Sequence, residues 1–199
     1  MLKNLSKKPP EPSSEEVKKY LNQRKTDEVL SYSEKSLNNL FRVFSLNNNL
    51  DEIIVKVCTL DVIFSANASR WFFEVSKHIL NYDFDNKFKN KEFDVNKFAL
   101  IKVKDIKNNK TKERNFYSFA TKYCNHHNPL EYPIYDFYVD EILWYFMEEE
   151  LNQKRSNLKK YPTFKETIIK FKKKFKLEEF NLKEIDKYIW LLGKEFFKH

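Results

Sequence analysis

The chain has 199 residues, 41% of them apolar and 17% aromatic, with 37 Lys and Arg against 29 Asp and Glu. That is ample material for a packed core, which excludes wholesale disorder, and the formal charge of +8 opens the class of polyanion-binding proteins. The single glycine, Gly193, argues against glycine-rich phosphate loops, dinucleotide-binding turns and turn-rich β-sandwiches, which need a residue free to adopt positive φ.

Residues 1–13 carry Pro9, Pro10 and Pro12 and read as a flexible tail. Ser13-Ser14-Glu15-Glu16 then opens a helix with hydroxyl caps followed by acids. Helical pattern continues, with a break, to about Ser45, and Leu37, Leu40, Phe41 and Phe44 share one face. Asn47-Asn48-Asn49 is a turn. Residues 51–64 are apolar on more than one side and predict a central buried helix. Trp71, Phe72, Val75 and Ile79 mark another helix, with Glu74 and Lys77 outward. Residues 83–97 read as loop with a short helix after it, and Lys107–Lys110 as a turn or exposed loop.

Helices are expected over 116–127 and 137–150, separated by Asn128-Pro129 and Tyr132-Pro133. Phe164, Ile168, Phe171 and Phe175 follow at spacings of 4, 3 and 4, and Leu182, Ile185, Ile189, Leu192 and Phe196 at 3, 4, 3 and 4. The expectation is an all-α chain of eight or nine helices with few or no strands, forming a single globular domain over residues 14–199.

Charge is segregated along this pattern. Asn152–Lys176 holds ten basic residues against Glu166 alone, whereas Asp136–Glu150 holds six acids and no base. Lys154, Arg155, Lys159, Lys160, Lys170, Lys172, Lys173 and Lys174 are therefore candidate nucleic-acid contacts, with DNA the expected partner. The competing readings are a solvated face and pairing of these lysines with the acidic helix.

Cys58 and Cys124 make no disulfide framework and fit a reducing cytoplasm. No run approaches the length needed to span a bilayer, so no membrane association is expected. Cys124-Asn125-His126-His127 has no second cluster to complete a zinc site, and neither metal nor cofactor is expected.

The segment Asn115–Val139 carries what chemistry the sequence offers. Ser118, Lys122 and Asn125 fall at i, i+4 and i+7 on one helix face, and Asp136 stands where it can cap the next helix. The order of lysine, short helix, turn, Pro-Ile-Tyr-Asp-x-x-Val and long helix resembles the core of the helix-hairpin-helix DNA glycosylases, the endonuclease III-like superfamily. That resemblance implies a helical fold, a base extruded from duplex DNA, Lys122 as the Schiff-base nucleophile and Asp136 as the catalytic carboxylate. Ser118, Asn125, His126 and Tyr135 would then line the substrate pocket. Residues 50–150 also resemble uncharacterised bacterial proteins with Ser-Phe-Ala-Thr-Lys and Tyr-Pro-Ile-Tyr-Asp signatures. The alternative is a non-catalytic DNA-binding or protein-interaction module on the same scaffold, because the family's phosphate-gripping hairpin glycines are missing here. The tyrosines 117, 123, 132, 135 and 138 could stack on a base or simply pack.

Overall fold

The computed structural model describes residues 8–104 and 110–198. Ten α-helices and one two-stranded antiparallel sheet make up the regular structure among them, so the chain is predominantly helical, as its periodicity requires. No helix among the described residues is long and apolar enough to cross a membrane. The chain divides into two compact units, one built from the segment up to Ser31 together with Asn128 onward, the other from Tyr32–His127.

In the first unit, α1 (Ser14–Thr26) starts where the Ser13 hydroxyl accepts from Glu16 N at 3.3 Å. Its inner face presents Val17 and Tyr20. Asp27 makes the expected break: its N–H closes α1 on Gln23 O, and its carboxylate accepts from Leu30 N to start α2 (Glu28–Val43). Ahead of α1, Pro9 and Pro12 are buried, so the described end of the proline segment is docked.

The remainder of this unit comprises α8 (Phe137–Met147), a 3₁₀ turn over Arg155–Lys159, α9 (Tyr161–Lys174) and α10 (Leu182–Phe196). Phe164, Ile168 and Phe171 of α9 are buried, as are Ile185, Ile189, Leu192 and Phe196 of α10, following the two apolar stripes. A reciprocal capping box between Asn181 and Glu184 fixes the start of α10. Tyr20 joins the first helix to the last. Its ring meets Tyr188 edge-on at 5.6 Å and its hydroxyl donates to Glu195 at 2.7 Å.

The second unit takes the rest of α2 and continues with α3 (Leu50–Phe64), a 3₁₀ turn over Ser69–Trp71, α4 (Phe72–Asn81), α5 (Phe84–Lys89), α6 (Val95–Phe98), strands β1 (Leu100–Lys104) and β2 (Thr111–Asn115), and α7 (Tyr117–His127). The segment read as loop therefore holds α5 and most of α6, and a strand pair rather than a short helix follows it. β1 pairs antiparallel with β2 in a register that sets Ile101 opposite Arg114 and Val103 opposite Lys112. Leu-Ile-Lys-Val-Lys alternates, burying Ile101 and Val103 and exposing Leu100, Lys102 and Lys104, which is the period of a half-buried strand. β2 is exposed throughout and exists by pairing, having no apolar residue of its own. Most of the turn read at Lys107–Lys110 lies outside the described residues.

A chain with one glycine turns its corners on other residues. Ser65, Asn67, Asp83, Lys91, Asn152, Gln153 and Lys176 all take positive φ, at a cost of about 1–2 kcal/mol each where the side chain makes no local hydrogen bond. Gly193 is used elsewhere, inside α10. A Cβ there would sit 2.6 Å from the carbonyl oxygen of Tyr138 in α8 and 2.7 Å from its Cβ. The constraint is helix–helix approach. Gly193→Ala should therefore destabilise the protein by about 1–3 kcal/mol, even though alanine alone would favour the helix by about 1 kcal/mol. Urea unfolding of the variant checks this.

Candidate functional site

Lys122 lies in the middle of α7 and is only 4% exposed. Its ammonium donates to the Ser118 hydroxyl one turn earlier, at 2.9 Å, and to the Phe64 carbonyl at 3.5 Å. The Phe64 ring stands 5.7 Å away. Asn125 on the same helix is buried. His126 is half-buried, its ring tilted against Phe41 at 5.0 Å and Phe64 at 5.7 Å. The i, i+4, i+7 face of Ser118, Lys122 and Asn125 thus exists, but as an interior face.

Asp136 and Tyr135 belong to the other compact unit. The Asp136 carboxylate accepts from Val139 N at 3.0 Å and caps α8, as its place ahead of the helix predicts. Nearby in the same unit is a carboxyl that was not anticipated. Asp186 accepts from Ile134 N at 3.1 Å, and burial, reinforced by the negative charge of Asp136, pushes its pKa well above the ordinary carboxyl range. The Tyr135 hydroxyl donates to Asp140 at 3.0 Å.

The basic run of this unit is only partly presented to solvent. Arg155 donates from Nε to Asp140 at 2.6 Å and from a terminal nitrogen to Glu141 at 2.5 Å. Both carboxylates are largely buried, and at Asp140 burial outweighs the attraction of the guanidinium and raises its pKa. Arg155, expected to contact nucleic acid, is bound internally because the acidic helix folds beside it. Lys174 donates to the Phe146 carbonyl and to Glu150 at 2.8 Å, and Lys170 pairs with Glu166 one turn back at 2.9 Å. Lys154, Lys159, Lys160 and Lys173 are exposed and Lys172 is half-buried.

The densest polar constellation is one that sequence reasoning missed, and it lies in the second unit. Lys56 of α3 is fully buried. Its ammonium donates to the Phe44 carbonyl (3.0 Å), the Leu46 carbonyl (2.8 Å) and Asn47 Oδ1 (2.7 Å). The Tyr123 hydroxyl donates to the same Asn47 oxygen at 2.5 Å. The Asn47 amide and Nδ2 donate to the two oxygens of Asp85, at 2.7 and 2.6 Å, and Nδ2 also lies 3.4 Å from His127 Nε2. Rings of Phe41, Phe84, Phe88 and Tyr123 enclose His127 at 4.7–6.0 Å.

Burial drives the titrations. It lowers Lys56 to about 8, against the pull of Asp85 and Glu52. It lowers His127 to about 3, helped by the positive charges of Lys56 and His126, and raises Tyr123. The sequence signal was a lysine inside Ile-Ile-Val-Lys-Val-Cys, a position where lysine is rare unless its head finds partners. Among the described residues no group of three or more His, Cys, Asp or Glu side chains could hold a metal ion.

Residues 16–131, more than half the chain, match the family model described as the HI_0787_N N-terminal domain. The chain belongs to this family. An uncharacterized protein of Haemophilus influenzae (strain ATCC 51907 / DSM 11121 / KW20 / Rd) is 45% identical over 127 residues, which are 62% of this chain and 57% of that protein. The match therefore spans little more than half the length of the relative. No solved structure matches the chain. The family segment contains the whole Lys56–Asn47–Asp85–Tyr123–His127 constellation and Lys122, and it ends before Asp136.

Two outcomes are expected here. Lys56→Met should lower stability by about 2 kcal/mol or more, because it leaves the carbonyls of Phe44 and Leu46 without their buried donor; chemical denaturation measures it. His127 protonates more readily when unfolded, near 6.5, than when folded, near 3, so its contribution to stability is complete above about pH 6.5 and is lost as pH falls toward 3. His127→Phe should flatten the stability profile between pH 6.5 and 4, as read by urea midpoints at fixed pH.

Proposed function

We propose that this protein is a non-catalytic nucleic-acid-binding module built on a helical scaffold. The observation that carries the reading is the exposed hairpin: Lys102, Lys104, Lys110, Lys112 and Arg114 are exposed residues, with Glu113 as the one acid among the described hairpin residues. A twisted ribbon of cations is suited to phosphate contacts, which supply affinity without sequence preference. It lies within the family segment, and the exposed lysines at 154, 159, 160 and 173 add to the polyanion affinity. In this reading Ser118, Asn125, His126 and Tyr135 are packing residues.

The same considerations disfavour base excision. The Lys122 amine would have to reach a sugar carbon, yet it is buried and hydrogen-bonded to Ser118 and the Phe64 carbonyl. A Schiff-base lysine needs an open approach as well as a dehydrated amine.

With about four phosphate contacts, affinity for a short labelled single-stranded oligonucleotide should fall about 50-fold between 50 and 200 mM salt. Lys102→Gln with Lys104→Gln should reduce the slope of log affinity against log salt by about 1.4. Binding indifferent to salt or to these substitutions overturns the proposal. Borohydride incubation with lesion-bearing duplexes should trap no adduct; an adduct that forms with the wild type and disappears in Lys122→Gln would establish the catalytic reading instead.

A further inference from the structure

We infer that the start of α4, with Arg114 from the neighbouring strand, is a base-stacking site, and that the partner is single-stranded nucleic acid. This rests on the nucleic-acid reading above and names the form of the ligand.

Phe72 and Phe73 open α4 and remain 40% and 43% exposed. Their rings stand 6.4 Å apart at 65° to one another. Neither position is needed to finish the core, which Trp71, Val75 and Ile79 complete from the same segment. Cations line the same segment. The Lys77 ammonium sits 4.5 Å over the Phe73 ring. The Arg114 and Arg70 guanidinium groups lie 4.1 and 5.3 Å from the centre of the Trp71 ring. Trp71 is itself held edge-on by Phe116 at 5.8 Å.

The arginines are thus positioned against an aromatic ring, and both residues are exposed. Glu74 opposes them with one half-buried carboxylate in the first helical turn, and Arg70, Lys77 and Arg114 leave the strip positive. Exposed aromatic faces interleaved with fixed cations are the arrangement that binds single strands: phosphates meet the cations and unstacked bases meet the rings. A duplex keeps its bases stacked on one another and offers only the electrostatic part. A polyanion without bases does the same.

The test measures fluorescence anisotropy of the full chain with a labelled 12-nucleotide thymidylate strand and a 12-base-pair duplex, together with heparin competition. The wild type should bind the single strand at least tenfold more tightly than the duplex. Phe72→Ala with Phe73→Ala should weaken single-strand binding by roughly tenfold or more and leave duplex and heparin binding unchanged. Phe73→Leu keeps an apolar side chain but removes the ring face, and should lose part of the same increment; it carries the test if circular dichroism shows the double variant to be unfolded.

Unchanged single-strand affinity in the folded variants overturns the inference, as does an equal loss for duplex and heparin. In both cases salt-sensitive binding by the hairpin lysines would leave the broader reading standing. A wild type that binds neither nucleic acid defeats both.

Discussion

An ammonium group removed from water must be resolvated by protein oxygens, and at Lys56 this requirement shapes the second unit. Two of the three oxygens are backbone carbonyls of residues 44 and 46, and the third belongs to Asn47. The turn between α2 and α3 is held in the one form that aims these oxygens inward. Asn47 then passes the constraint on. Its amide and side-chain nitrogen are bound by Asp85 of α5, and its side-chain oxygen by Tyr123 of α7. Three helices, α3, α5 and α7, are tied through one asparagine, and an aromatic shell excludes the water that would compete with these bonds. Such a network is costly when incomplete, because each orphaned group keeps its desolvation penalty.

The helices were legible because their apolar residues recur at helical spacing. The stripe from Leu182 to Phe196 is the clearest example, and its residues at 185, 189, 192 and 196 are buried. The hairpin was hidden for two reasons. β1 shows alternation over only five residues, and β2, Thr-Lys-Glu-Arg-Asn, carries no strand signal apart from its partner. The polar hub was hidden for a different reason. Asn47, Lys56, Asp85, Tyr123 and His127 are scattered over 80 residues of chain, and only Lys56 stands out locally, as a charge within an apolar run. Asp136 as a helix cap was readable because capping is a local property; the raised pKa of Asp186 was not, since it depends on what folds over that side chain.

Segregated charge along a sequence has two physical outcomes, and this protein uses both. Where a basic and an acidic stretch lie in the same unit, they neutralise one another: Arg155 with Asp140 and Glu141, Lys174 with Glu150. Where the basic stretch is the hairpin, its described lysines and Arg114 are exposed. Counting charges in a window cannot separate these cases, because the deciding quantity is which stretches become neighbours.

The first unit is discontinuous in sequence, and its closure depends on residues 175 apart, Tyr20 and Glu195. The second unit is continuous and lies between them. During vectorial synthesis the intervening unit can gather all its contacts while α1 still lacks the helix that covers Val17 and Tyr20. The growing chain therefore carries an unsheltered amphipathic helix until α10 emerges, and completion of the first unit is bound to the slower closure of a long loop. A ribosome that stalls before residue 182 would leave the Val17 and Tyr20 face of α1 without its covering helix, the kind of surface that holdase chaperones recognise.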